Sequence, residues 1–194
     1  MRHTPNFSGW RAMVVHRPDS NTERLARHLR LLGFSVETQW APLLAEAVPE
    51  LVIVDADQGF DGLLPWRGLD VAPCPLVALL GSEAPSRIAW ALEQGAGAIL
   101  PKPLNPSAVY PALVMALAKH EERLALRAEI SRLEERLKLR PMVHSAIRLL
   151  AEHRALSEDE AYALLRASAM RQRLPLEMLA AAILAGTQPM PEAG

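Results

Sequence analysis

Cysteine is nearly absent from this chain. The one residue, Cys74, rules out an internal disulfide and a cysteine-rich zinc site. Net charge is nearly absent as well. With 21 Lys and Arg against 22 Asp and Glu, the chain is neither a polybasic binder nor an acidic solvating chain, so a nucleic-acid surface has to be a local patch. No apolar run reaches the roughly 20 residues of a membrane span, and residues 1–10 lack the apolar core of a signal peptide. The expectation is a soluble, cytoplasmic protein with no membrane partner. Missing too are a nucleophile–base pair, a Gly-rich phosphate loop and a metal cluster. An enzyme is therefore the least expected class, and no catalytic residue, metal or cofactor is assigned. Aromatic residues are sparse, and Trp40, Trp66 and Trp90 lie far apart, which reads as packing.

What is present is hydrophobic. Half of the 194 residues are apolar, enough for one large domain or two small ones. The chain is organised around residues 105–140, where strong helix formers run without Gly or Pro from Pro111 to Pro141. Leu117, Leu124, Ile130 (or Ser131), Leu133 and Leu137 recur at steps of three, four and seven, with Glu and Arg between them. About 29 helical residues span roughly 43 Å, too long for the interior of one small domain. The seam predicts a dimeric coiled coil; the alternative is one helix lying across its own chain.

Ahead of that helix, apolar runs alternate with helical patterns. Strands are expected over residues 12–16, 34–40, 51–54, 76–80 and 98–100. Asp19 is expected to cap a helix that buries Leu25, Leu29, Leu31 and Leu32 and stops at Gly33. Leu43–Val48 reads as a short helix or turn, residues 85–94 as a helix, and residues 59–75 as holding at most a short helix. Such alternation predicts an α/β, flavodoxin-like (βα)5 domain, with any site at the carboxyl ends of its strands. Those ends present His16, Arg17, Asp55, Leu80 and Lys102, while Asp57 reads as a loop residue.

Beyond Pro141, read as a break, a helical module is expected. One face carries Met142, Val143, Ala146, Leu149 and Leu150, and residues 153–156 make a turn. Ser157 and Glu160 form a capping box for a second helix, which Arg171 and Arg173 close. Leu174-Pro175 opens a third, ending at Gly186. The expected boundaries are residues 1–118 for the α/β domain, 119–140 for the coiled coil, 141–186 for the helical module and 187–194 for a tail. For an RNA contact, Arg140, Arg148, Arg166, Arg171 and Arg173 would be the groups for phosphates and Tyr162 the ring for an unstacked base. On composition alone these arginines solvate helix faces and Tyr162 packs with its hydroxyl exposed.

Two stretches carry a resemblance. Pro49-Glu-Leu-Val-Ile-Val-Asp55 and Gln94-Gly-Ala-Gly-Ala-Ile-Leu-Pro-Lys102-Pro103 resemble the third- and fifth-strand motifs of response-regulator receiver domains. In that family the aspartate accepts a phosphoryl group, an acidic pair after the first strand helps it hold Mg²⁺, and a Thr or Ser after the fourth strand and the Lys sense the phosphoryl oxygens. The resemblance puts Asp55 at the acceptor and Lys102 at the lysine. It puts His16 and Arg17 where the acidic pair belongs, and Leu80 where the hydroxyl belongs. One carboxylate beside cations makes a poor Mg²⁺ site. The expectation is therefore a pseudo-receiver in which Asp55 and Lys102 form a residual ion pair.

Residues 140–184 resemble the ANTAR domain, an RNA-binding output module of antitermination regulators. The likeness rests on Arg140, Val143, Ala146, Leu149 and Leu150, on Ser157-Glu-Asp-Glu-Ala-Tyr162 through Arg173, and on Leu179-Ala-Ala-Ala-Ile-Leu184. Where the family usually has Ala-Lys-Gly, this chain has Ala146-Ile147-Arg148. The resemblance implies a dimer that binds leader-RNA hairpins and permits transcription through a terminator. Control would come from an inhibitory ligand-sensing protein. The alternatives are a regulator phosphorylated on Asp55 and a dimeric adaptor that does not bind RNA.

Overall fold

The structure, a computed structural model, describes residues 5–44, 48–66, 69 and 71–191. It divides into two compact units, Met1–Arg127 and Ala128–Gly194.

In the first unit, five parallel strands form one sheet in the order β2-β1-β3-β4-β5. They are β1 (Arg11–Val15), β2 (Ser35–Gln39), β3 (Leu51–Asp55), β4 (Leu76–Leu80) and β5 (Ala98–Pro101). The central strands β3 and β4 are apolar throughout up to Asp55 and buried along their whole length, as a sheet covered on both faces requires. The alternating strand β2 lies at one edge. One face packs on α1 (Ser20–Leu31) and the start of α3 (Pro106–Arg154), through Leu25, Leu29, Val109 and Leu113. Gly97 permits the close approach of β5 to α3, because a Cβ there would lie 2.8 Å from the Ala116 backbone. The other face is covered by α2 (Pro85–Glu93) and by irregular chain. Among the described residues of 59–75 there is no helix; Leu63, Leu64, Trp66 and Cys74 are buried from irregular segments instead. Of the expected element at Leu43–Val48, residues 45–47 lie outside the described residues, and those described are not helical.

Asp19 does cap α1, its side chain accepting the Thr22 N–H at 2.7 Å. Leu31 was expected in the buried face but is 79% exposed. At 100° per residue it stands about 200° round from Leu29, whereas Leu25, Leu29 and Leu32 share one side. Gly33 supplies the stop with φ 95°.

The expected break at Pro141 is absent. Helix α3 runs unbroken for 49 residues, with Pro111 and Pro141 inside it. Proline removes one helix hydrogen bond and crowds the carbonyl four residues back, at a cost of about 3 kcal/mol. Pro141 and Leu137 are both exposed, so water can reach the carbonyl left without its donor. Strong helix formers on both sides carry the helix through. The first helix of the second unit is thus the end of α3. It packs Ala146, Ile147 and Leu150 against Ala161, Leu165 and Ala169 of α4 (Glu158–Gln172) and Leu179, Ala180 and Ile183 of α5 (Leu176–Leu184). The Ser157–Glu160 capping box opens α4. Pro175 is the N-cap of α5 rather than a residue inside it.

Candidate functional site

The parallel sheet delivers the ends of β1, β3, β4 and β5 to one edge, and four side chains meet there. Lys102 Nζ donates to Asp55 Oδ1 at 2.8 Å and reaches Asp57 Oδ2 at 2.8 Å. His16 Nε2 faces Asp55 Oδ2 at 3.2 Å. The other ring nitrogen, Nδ1, is 2.6 Å from the Arg17 carbonyl and 2.9 Å from Thr22 Oγ1, so the imidazole is pinned on both sides. Asp55 and His16 are buried, and Lys102 is only 15% exposed at its side chain. The expected Asp55–Lys102 pair is therefore present, with His16 on the carboxylate's second oxygen.

Two neighbouring positions take other parts. Arg17 turns away from the cluster and places its guanidinium 5.5 Å from the centre of the Trp40 ring. Leu80 is buried as the last residue of β4 and has no hydroxyl to offer.

Asp57 is not the plain loop residue the sequence suggested. Its N–H donates to Asp55 Oδ1 at 3.0 Å, which turns the chain back over the strand end. Its Oδ2 accepts the Gly81 N–H at 2.7 Å and its Oδ1 the Ser82 N–H at 3.1 Å. Burial raises the Asp57 pKa, but Lys102 and the two backbone donors outweigh it and hold the carboxyl below its usual range. Burial likewise opposes the charge on Lys102, and the two aspartates overcome it and push the ammonium pKa up.

These shifts fix a pH dependence. Asp57 is depressed, so its stabilising contribution is present above the ordinary carboxylate value of about 3.9 and is lost as pH falls through the lower folded value. Lys102 is raised, so its contribution is complete below about 10.4 and is lost as pH rises through the higher folded value. The stability gap between the wild type and Asp57→Asn, measured by denaturant unfolding, is expected to be level from about pH 5 to 9, to close in acid as Asp57 is protonated and to narrow in strong alkali as Lys102 loses its charge. A gap that peaks below pH 4 would contradict this assignment.

The cluster does not fit Mg²⁺, the ion receiver domains use. Asp55 Oδ1 is taken by Lys102 and the Asp57 N–H, and Oδ2 by His16. The oxygens of Asp57 are taken by Lys102 and by the Gly81 and Ser82 N–H groups, and Asp19 is spent on the α1 cap. A hard divalent cation needs several free oxygens in octahedral array, and the position of the missing acidic pair carries an imidazole.

In the second unit, Arg140, Arg148, Tyr162, Arg166, Arg171 and Arg173 are all exposed. Arg140 and Arg148 lie on α3, Tyr162, Arg166 and Arg171 on α4, and Arg173 ends α4 in the left-handed conformation at φ 55°. Along α3, Leu117 packs against the core of the first unit. Leu124, Ile130, Leu133 and Leu137 are 44–57% exposed. Leu126, also exposed, was missed in the sequence. With Ile130, Leu133 and Leu137 it makes a cleaner 4-3-4 seam than Leu124 does.

Comparison with known families bears on both units. An ANTAR domain family model matches residues 131–184, and the "AmiR, N-terminal" family model matches residues 10–117, more than half of the chain. The chain belongs to the ANTAR-domain regulators. Among its relatives is the "Transcriptional regulatory protein PdtaR" of Mycobacterium tuberculosis, 31% identical over 174 residues and 82% of each chain. Another is the "Aliphatic amidase regulator" of Pseudomonas aeruginosa, 27% identical over 180 residues and 91% of each chain. In fold alone, the chain is similar to full-length FixJ from B. japonicum, with TM-score 0.52, 16% identity and coverage of 94% of this chain and 100% of that one. It is similar in the same way to the response regulator StyR, with TM-score 0.51, 21% identity and coverage of 87% and 96%. The departure from the usual ANTAR lysine has a packing reason here: Ile147 is buried in the second unit's core, while Arg148 beside it is exposed. Among the described residues no helix is long and apolar enough to cross a membrane.

Proposed function

We propose that this protein is a dimeric transcription antitermination regulator that binds hairpin loops of a leader RNA. The observation that carries the reading is the ANTAR match over residues 131–184, which takes in all six exposed candidates, Arg140, Arg148, Tyr162, Arg166, Arg171 and Arg173. Guanidinium groups suit phosphates, and an exposed phenol ring suits a splayed loop base. The exposed seam of Leu126, Ile130, Leu133 and Leu137 supports dimerisation, since a helix carrying Glu and Arg between such residues buries them best against a second copy. In functional terms residues 1–118 are the control domain, 119–140 the dimerising helix, 141–186 the RNA-binding module and 187–194 a tail. A dimer would offer two modules to one RNA and stabilise a fold that keeps the terminator from forming.

Control is proposed to come from an inhibitory ligand-sensing protein docking on the first unit, not from phosphorylation. The occupied oxygens of Asp55 support this, as does the match to the N-terminal family of an amidase regulator. A partner that binds the free and RNA-bound states with different affinity shifts the equilibrium between them by that difference.

The test is binding of the purified dimer to paired hairpins from the leader of its neighbouring operon, set against an Arg166→Ala, Arg173→Ala double variant. Binding is expected to depend on the loops and to weaken with salt. The variant is expected to bind less tightly at every sequence, with a salt slope smaller by about two, one for each phosphate that no longer meets a guanidinium. No binding by a folded dimer at low salt would instead make the protein an adaptor for another protein.

A further inference from the structure

Asp57 invites a reading that goes beyond the loss of phosphorylation. We propose that its carboxylate is a built-in anion standing where a receiver domain receives its phosphoryl group, so that the loop after β4 is held engaged without any modification. This rests on the reading that Asp55 carries no phosphoryl group.

The partners of Asp57 are the reason. In receiver domains the Lys after the fifth strand and the residue after the fourth strand sense the phosphoryl oxygens. Here Lys102 and the loop after β4 converge on one side-chain carboxylate. Oδ2 alone takes both the Lys102 ammonium at 2.8 Å and the Gly81 N–H at 2.7 Å, and Oδ1 takes the Ser82 N–H at 3.1 Å. Leu80 cannot donate through its side chain, and backbone donors one and two residues later do so instead. Gly81 also gives the carboxylate room, because a Cβ there would sit 3.1 Å from Asp57 Oδ2. Helix α2 begins three residues beyond Ser82, so the tether fixes the approach to that helix.

An ordinary phosphoryl switch works because the anion comes and goes. An anion that belongs to the chain two residues beyond the acceptor position cannot leave. The loop and the start of α2 then form a fixed surface, and a docking partner meets one arrangement of it at all times. Gain or loss of signal has to come from the partner.

Amide exchange on the full-length protein, resolved at Gly81 and Ser82, tests this. In the wild type both amides are expected to be protected. In Asp57→Ala their exchange is expected to quicken about tenfold or more, the scale of a lost hydrogen bond to a charged acceptor, while Val52–Val54 and Val77–Leu79 keep their rates. Inorganic phosphate is expected to restore protection in the variant, where sodium chloride at equal ionic strength does not. Should Asp57→Ala fail to fold, Asp57→Ser removes the carboxylate while leaving its space open, and the same two readouts apply. Unchanged exchange at Gly81 and Ser82 would overturn the proposal, and so would lost protection that phosphate does not restore, since that describes a structural contact and not an anion site. A separate arm treats the wild type with acetyl phosphate and Mg²⁺. Label on Asp55 would overturn the reading beneath the proposal, whereas an exchange failure without label overturns the proposal alone.

Discussion

Lys102→Met is expected to destabilise the first unit by about 3–5 kcal/mol, the scale seen when one partner of a buried ion pair is removed. The size follows from what stays behind. Asp55 is 2% exposed and, among the described residues, would keep the Asp57 N–H and the His16 ring as polar neighbours. Asp57 would keep its two backbone donors but lose its cation. Two carboxylates that now share one ammonium would be left on the same strand end, one of them out of water. Methionine fills the space of the lysine stem without supplying charge, so packing loss contributes little. Denaturant unfolding followed through Trp66 and Trp90, both buried in this unit, reads the change. The triple variant Lys102→Met, Asp55→Asn, Asp57→Asn is expected to recover much of the loss, because a buried polar cluster without net charge no longer needs the cation. A Lys102→Met cost under about 1 kcal/mol would mean that the pair behaves as a solvated surface bridge.

How far the sequence foretold this cluster depends on which interactions are local. The strands were legible because β3 and β4 are unbroken apolar runs that only a sheet covered on both faces accommodates. Asp19 as a cap and the Ser157–Glu160 box were legible because each completes its bonds within three residues. The strand-end rule brought Asp55 and Lys102 to one edge, and the receiver-domain resemblance singled them out as a pair. Asp57 was not legible, since its partners Gly81 and Ser82 come from a strand end 24 and 25 residues on, and two of its bonds use backbone donors with no sequence signature. The spacing of two residues from Asp55, which folds the Asp57 N–H onto its carboxylate, is the one local hint. Pro141 misled for a related reason. Proline's local cost is real, but at an exposed position between strong helix formers it is smaller than the cost of ending a helix whose far end packs the second unit's core. Leu117, read as the start of the seam, packs against the first unit's core, which leaves Leu126 as the exposed leucine four residues before Ile130.

Leu150→Ala is expected to unfold most of the second unit at physiological temperature. Leu150 is fully buried at the centre of a cluster that also holds Leu165, Leu179 and Ile183. Truncating such a leucine costs about 2–5 kcal/mol, the removed methyl groups and the remaining cavity adding together. The cluster is small, and three short helical segments have little stability in reserve, so one cavity can exceed what holds them. Limited proteolysis of the full chain is expected to show new cleavage within residues 141–186, while the first unit stays resistant. RNA binding, if the proposed function holds, is expected to be lost with the fold. Met170→Ala is the control: it removes a side chain of similar size from a position 70% exposed in α4 and is expected to leave the protease pattern of residues 141–186 unchanged. Against these two, the Arg166→Ala, Arg173→Ala variant gains its meaning. It should lose RNA while keeping the wild-type protease pattern, because both arginines are exposed and outside the core cluster. A double arginine variant that is cleaved like Leu150→Ala would show that these guanidinium groups hold the module together and do not read the RNA.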